Sequence, residues 1–141
     1  MTGLAIALFL TGLSGAAIAE RPERNFFRLF DAIASGNHRR VRRLLPPRDQ
    51  INDIDGSSGA TPLTWTAITR YPQADLGQRI TRLILDRGAD PNSTDRSGDS
   101  PLHAAISYSR AGIVRVLLER GANPNRHHPR YGRPPLVGLC E

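Results

Sequence analysis

Apolar residues recur at i, i+3 and i+4 in three places along the chain: Val41, Leu44 and Leu45; Ile80, Leu83 and Ile84; and Ile113, Val116 and Leu117. That spacing gives a helix a single apolar stripe and leaves its other sides polar. Gly88 and Gly121 follow the second and third stripes directly, at the left-handed position where a helix closes and only glycine sits without strain. Upstream of these two helices stand Thr61-Pro62 and Ser100-Pro101. A hydroxyl residue capping a helix, followed by a proline in the first turn where a missing N–H costs nothing, marks a helix start. The pattern predicts pairs of short helices. One such pair cannot bury its own stripe, so neighbouring pairs must stack and share a core.

The stacking has a period. Asp86-Arg87-Gly88-Ala89-Asp90-Pro91-Asn92 returns as Glu119-Arg120-Gly121-Ala122-Asn123-Pro124-Asn125, 33 residues later. A second series, Gly59-Ala60-Thr61-Pro62-Leu63, Gly98-Asp99-Ser100-Pro101-Leu102 and Gly132-Arg133-Pro134-Pro135-Leu136, is spaced by 39 and 34 residues. Recurrence at such a period signals a solenoid. The motifs resemble those of the ankyrin repeat family, T-P-L-H-x-A after a turn and L-L-x-x-G-A-D later. Ser100-Pro101-Leu102-His103 with Leu117-Leu118-Glu119-Arg120-Gly121-Ala122-Asn123 is the best copy, and Thr61-Pro62-Leu63-Thr64 with Ile84-Leu85-Asp86-Arg87-Gly88-Ala89-Asp90 the next. Leu29 to Asn37 with Val41, Leu44 and Leu45 looks like an N-terminal capping unit.

The resemblance implies an all-α solenoid of stacked helix-turn-helix units with hairpin-like turns between them. The expected units are a cap over about 25–54, a repeat over 55–93, a repeat over 94–127 and an incomplete repeat over 128–141. It implies a structural hydrogen-bonding role for His103 in its turn and a packing role for Cys140. The 55–93 unit carries an insertion near 71–76, Tyr71-Pro72-Gln73-Ala74-Asp75-Leu76. It either lengthens the second helix, since Leu76 precedes Ile80 by four, or projects as a loop, with Pro72 ending the first helix. The short last unit leaves an apolar edge that a partner or a second copy could cover, so self-association there is expected as an option.

Residues 1–19 contain no charged side chain and hold an apolar run from Leu4 to Leu10, ending in Ala17-Ile18-Ala19. This fits a signal peptide cleaved between Ala19 and Glu20, which places the remaining domain, 20–141, in the periplasm or outside the cell. The alternative is a membrane anchor, which Gly12, Ser14 and Gly15 disfavour by diluting the hydrophobicity.

Composition narrows the chemistry. All 19 basic residues are Arg, so Schiff-base, P-loop and kinase-type lysine mechanisms are excluded. One Cys closes no internal disulfide and builds no cysteine metal site. His38, His103, His127 and His128 lack helical ligand spacing, and neither His127 nor His128 has an Asp or Glu near it in sequence. No catalytic triad, paired carboxylates or cofactor fingerprint can be assembled, so the expectation is a non-enzymatic protein with no cofactor and no metal. The formal charge is +6. Residues 20–50 hold eight Arg against four carboxylates, 51–95 four against six, and 96–141 seven against three. That split basic charge, without interleaved aromatics, argues against nucleic acid as partner. A cytosolic nucleic-acid binder is the least favoured class.

The resemblance implies a protein–protein interaction module that binds another protein through its turn tips and first helices. An exported effector or inhibitor of a host or competitor protein is the alternative. Positions matching the family's variable contact sites are Ser57, Ser58, Ala60, Ile68 and Thr69 in one repeat, and Arg96, Ser97, Asp99, Ser107 and Tyr108 in the next. Arg130, Tyr131 and Arg133 extend that surface. Tyr and Arg are the commonest interface anchors, which favours Tyr108, Tyr131 and Arg96. Trp65 is read as core or contact.

Overall fold

The computed structural model describes residues 22–130 and Gly132, with side chains from residue 26 onward except that of residue 74. Tyr131, Arg133, Cys140 and the apolar segment 1–19 lie outside the described residues. Six helices follow one another: α1 (Pro22–Ala34), α2 (His38–Leu44), α3 (Pro62–Ile68), α4 (Ala74–Asp86), α5 (Pro101–Ser107) and α6 (Ala111–Glu119). No strand occurs among the described residues. Each helix packs against its hairpin partner and against the equivalent helix of the next unit. The result is an inner row of α1, α3 and α5 and an outer row of α2, α4 and α6.

The apolar stripes supply the shared core. Val41, Ile80, Ile84, Val116 and Leu117 are fully sealed from solvent, as are Ile33 and Ile51, and Leu29, Leu63 and Leu102 are nearly so. Burying one such side chain contributes about 1.5–3 kcal/mol, against about 0.5–2 kcal/mol for a cap. Packing between units therefore holds the solenoid, and caps fix where each helix begins. Thr61 and Ser100 cap α3 and α5, their side chains accepting from the backbone N–H of Thr64 and His103, with Pro62 and Pro101 in the first turn.

Helix ends follow one motif four times. Asn37 N–H reaches Ala32 O after α1, Ala89 reaches Ile84 after α4, Arg110 reaches Ala105 after α5, and Ala122 reaches Leu117 after α6. In each case the residue before the long-range donor is left-handed: Gly36, Gly88 and Gly121 at φ +70°, +99° and +90°, and Ser109 at +55°. This is the Schellman closure, and Ser109 occupies a place that glycine fills elsewhere.

The insertion lengthens the second helix of its unit. α4 has 13 residues against nine in α6. Asp75 pairs with Arg79 at 2.9 Å in the added turn. Leu76 reaches the α1–α2 turn, where a Cβ on Gly36 would fall 2.9 Å from Leu76 Cδ1. α3 ends at Ile68, ahead of Pro72, because Thr69 turns extended (ψ 137°). The Thr69 hydroxyl then takes the Trp65 carbonyl at 2.7 Å.

Successive loops are tied by asparagine side chains. Asn52 Oδ1 accepts from Asp90 N–H at 2.8 Å, and Asn92 Oδ1 accepts from Asn123 N–H at 2.6 Å. Asn92 Nδ2 also donates to Gly121 O at 3.2 Å. The register between units is thus set outside the core as well as within it.

Candidate functional site

The turns that precede α3 and α5, and the turn that follows α6, each start from one side-chain acceptor. Asp55 Oδ2 accepts from Ser57 Oγ at 2.5 Å and Ser58 N–H at 2.7 Å. Asp95 Oδ1 accepts from Ser97 N–H at 2.8 Å and Asp99 N–H at 2.9 Å. His128 Nδ1 accepts from Arg130 N–H at 3.0 Å. Asp55 and His128 each stand four residues before a left-handed glycine, Gly59 and Gly132, whose N–H returns to their carbonyl. His128 therefore does in the last turn what an aspartate does in the others.

The two carboxyls are tuned in opposite directions. Burial pushes Asp55 up, but the hydrogen bonds from Ser57 and Ser58 together outweigh it and hold this carboxyl below its usual range. Burial pushes Asp95 up, the neighbouring Asp99 charge adds to it, and the backbone donors offset only part. Ser57 gives Asp55 its hydroxyl, whereas Ser97, at the same offset from Asp95, gives its backbone N–H.

His128 corrects the sequence expectation that no carboxylate lies near it. Its side chain is buried, and Nε2 lies 2.7 Å from Asp99 Oδ1, brought close by the stacking of consecutive turns. Because Nδ1 accepts a backbone N–H, Nε2 bears the proton of the neutral ring. The ring also meets His103 edge-on, 5.4 Å between centroids. His103 is buried, with Nδ1 2.8 Å from Ser100 Oγ. The sequence signal for His128 was its offset from Gly132, which matches that of Asp55 from Gly59.

The residues expected to bind a partner divide into those free to do so and those used by the fold. Ser57, Ser58, Ser97 and Ser107 are exposed, as is Tyr108 at 53%. Arg96 is exposed, yet it lies over the preceding tip: its N–H donates to Gly59 O at 2.8 Å and Nη2 to Gly56 O at 3.1 Å. Arg130 is exposed. Ile68 is half-buried against the core, Thr69 spends its hydroxyl on the end of α3, and Asp99 faces His128. Ala60 is buried at 5% exposure, because its turn folds inward toward α3.

Sequence reasoning missed an aromatic cleft at the start of the inner row. Phe27, Phe30, Asp31, Ala34 and Trp65 line it with Asp55, Ser57 and Ser58 at its rim, enclosing about 340 Å³. Trp65 stacks on Phe30 at 4.6 Å between centroids with planes 10° apart, so it belongs to core and surface at once. Phe27 is 76% exposed. The available signal was Phe26-Phe27, since adjacent residues on a helix cannot share one buried face.

The chain matches the profile of the family described as Ankyrin repeats, in three copies over residues 29–128. It is 33% identical over 75 residues to the Neurogenic locus Notch protein of Drosophila melanogaster, which covers 53% of this chain and 3% of that protein. It is 37% identical over 62 residues to NF-kappa-B inhibitor delta of Mus musculus, 44% of this chain and 17% of the relative. It is 36% identical over 86 residues to Protein fem-1 homolog A of Bos taurus, 55% of this chain and 12% of the relative. The chain thus spans under a fifth of each of these proteins.

Proposed function

The chain belongs to the ankyrin-repeat family, a family of generally non-catalytic modules that bind other proteins, and from that premise we propose that it is a non-enzymatic adaptor acting outside the cytoplasm. The observation that carries the reading is a set of side chains that the fold leaves to solvent. Phe27 lies beside the tip residues Ser57 and Ser58 at the aromatic cleft, and Ser97 and, at the far end of α5, Tyr108 are exposed as well. Exposed aromatic groups beside polar rims are typical of interface anchors. The uncharged apolar segment ending at Ala19 supports export.

The test is affinity capture from the compartment in which the chain is recovered, after its mass has located the mature start. Tyr108→Ala should weaken capture at least roughly tenfold, the size of an ordinary hot-spot loss. Its thermal midpoint should stay close to that of the parent, since the side chain is largely exposed. Equal loss of capture and folding would make Tyr108 structural. Recovery from the cytosol with Met1 retained would overturn the location and leave the binding role standing.

A second reading, an effector or inhibitor that holds a host or competitor protein by the same face, draws on one relative being named an inhibitor. It predicts that the captured protein loses its own activity when bound.

A further inference from the structure

The cleft between α1 and α3 is walled by the rings of Phe27, Phe30 and Trp65, and its rim carries Asp31, Asp55 and Ser57. Neither Arg nor His occurs among the described residues that line it. At about 340 Å³ it lies at the small end of ligand sites, a size for one long side chain rather than a folded segment.

The rim is made of acceptors. Ser57 Oγ spends its hydrogen on Asp55 Oδ2 at 2.5 Å, so towards a ligand it offers lone pairs only. Asp55 is 3% exposed, too enclosed to meet a ligand itself. Its hydrogen bonds hold the carboxyl below its usual range, so it is charged, and its field acts through a poorly screened wall. Asp31 is open to solvent, with Arg40 Nη1 on Oδ2 at 2.8 Å, and no other described residue bonds to this carboxylate. An exposed pair of that kind holds weakly. Arg96, the cation nearest the tip, is held by the carbonyls of Gly56 and Gly59.

Aromatic faces beside oxygen acceptors are the surroundings that suit a guanidinium, whose plane stacks on a ring while its five N–H groups reach outward. An ammonium also meets rings, but it is a compact point charge and more strongly hydrated. Resting on the protein-binding reading above, we infer that the cleft receives an arginine side chain of the partner, its guanidinium against the Phe27 and Trp65 rings and bonded to Asp31 and Ser57. Phe27, 76% exposed in the free chain, is the wall that this arginine covers. Arg is among the side chains that most often anchor an interface from within a pocket.

The experiment titrates the ¹⁵N-labelled full chain with acetyl-Gly-Arg-Gly-amide and with its citrulline analogue, which keeps the shape and lacks the charge. Amide shifts and the fluorescence of Trp65, the chain's single tryptophan, report binding. Saturable shifts should centre on Phe27, Ser57, Ser58 and the Trp65 indole N–H, with half-saturation at about 1 mM. The citrulline peptide should bind at least about fivefold more weakly, having lost the cation–π contact and the charge-assisted bond. Phe27→Ala removes an exposed ring, so the fold should survive while binding weakens about threefold or more. Asp31→Asn gives up only an exposed ion pair and should weaken binding to a similar extent. The inference is overturned if the arginine peptide does not saturate by about 10 mM, if the citrulline peptide binds equally well, or if both variants bind like the parent. None of these outcomes involves the partner. Capture of a protein by a chain that ignores the arginine peptide would overturn this inference and leave the adaptor reading standing, and peptide binding by a chain that captures nothing would do the reverse.

Discussion

Replacing Ser109 by glycine should stabilise the protein. Ser109 has φ +55° and closes α5 by the same pair of bonds that Gly36, Gly88 and Gly121 make after α1, α4 and α6: Ser109 N–H to Ile106 O at 3.0 Å and Arg110 N–H to Ala105 O at 2.7 Å. A non-glycine residue in the left-handed region costs about 1–2 kcal/mol. Glycine returns part of that gain, about 0.5–1 kcal/mol, through the extra freedom of its unfolded chain. The net expectation is about 0.5–1 kcal/mol, or a rise of about 2–5 °C in Tm for a folded body of this size. Urea unfolding at constant slope is the assay, because an unchanged m value confines the effect to stability. Gly121→Ala is the matched control: φ is +90° and nothing lies within 4 Å of the added Cβ. It should lose about 1 kcal/mol from conformation alone. A stability loss in Ser109→Gly beside that control would refute the reasoning and make the serine side chain a net stabilising contact.

Three further outcomes can be measured on the same protein. Ser100→Ala should cost about 1–2 kcal/mol in thermal or chemical unfolding, since one hydroxyl both caps α5 and meets buried His103 Nδ1. Asn92→Ala removes both side-chain bonds to the next loop and should lose about 1–2 kcal/mol, with the largest rise in amide exchange at Asn123. In carboxyl titrations by NMR, Asp55 should titrate below the usual aspartate range and Asp95 above it. Asp55 therefore stabilises the fold at pH above its unfolded pKa, and that share is lost as pH falls through its folded pKa. Asp95 binds its proton more tightly when folded, so its contribution falls as pH rises from the unfolded to the folded pKa. Asp55→Asn and Asp95→Asn should change the acid limb of stability in opposite senses.

The parts legible in the sequence were those with local causes. Thr61-Pro62 and Ser100-Pro101 cap helices through contacts three residues away, and Gly88 and Gly121 close them within one turn. Stripe residues such as Ile80, Ile84, Val116 and Leu117 declared their burial by period alone. The insertion left two outcomes open because Leu76 could have continued the stripe or not, and its contact with the α1–α2 turn decided it. Asp99 meeting His128, and Tyr71 meeting Arg110, depend on how adjacent units stack, a geometry that no short window contains. The binding face was legible only as the positions the resemblance named. That list included Ala60, which its own turn buries, and omitted Phe27 and Phe30, which lie in the unit with the weakest motif.

Trp65 is the chain's single tryptophan, and its indole lies on Phe30 of the neighbouring unit. Its fluorescence thus reports one junction of the array, that between α1 and α3, while far-ultraviolet circular dichroism counts every helix. In a one-dimensional array the end unit can detach before the middle melts. If the two signals have the same midpoint, the first junction is coupled as strongly as the rest. If the fluorescence moves first, the gap between the curves measures in free energy how firmly the terminal unit is fastened to its neighbour.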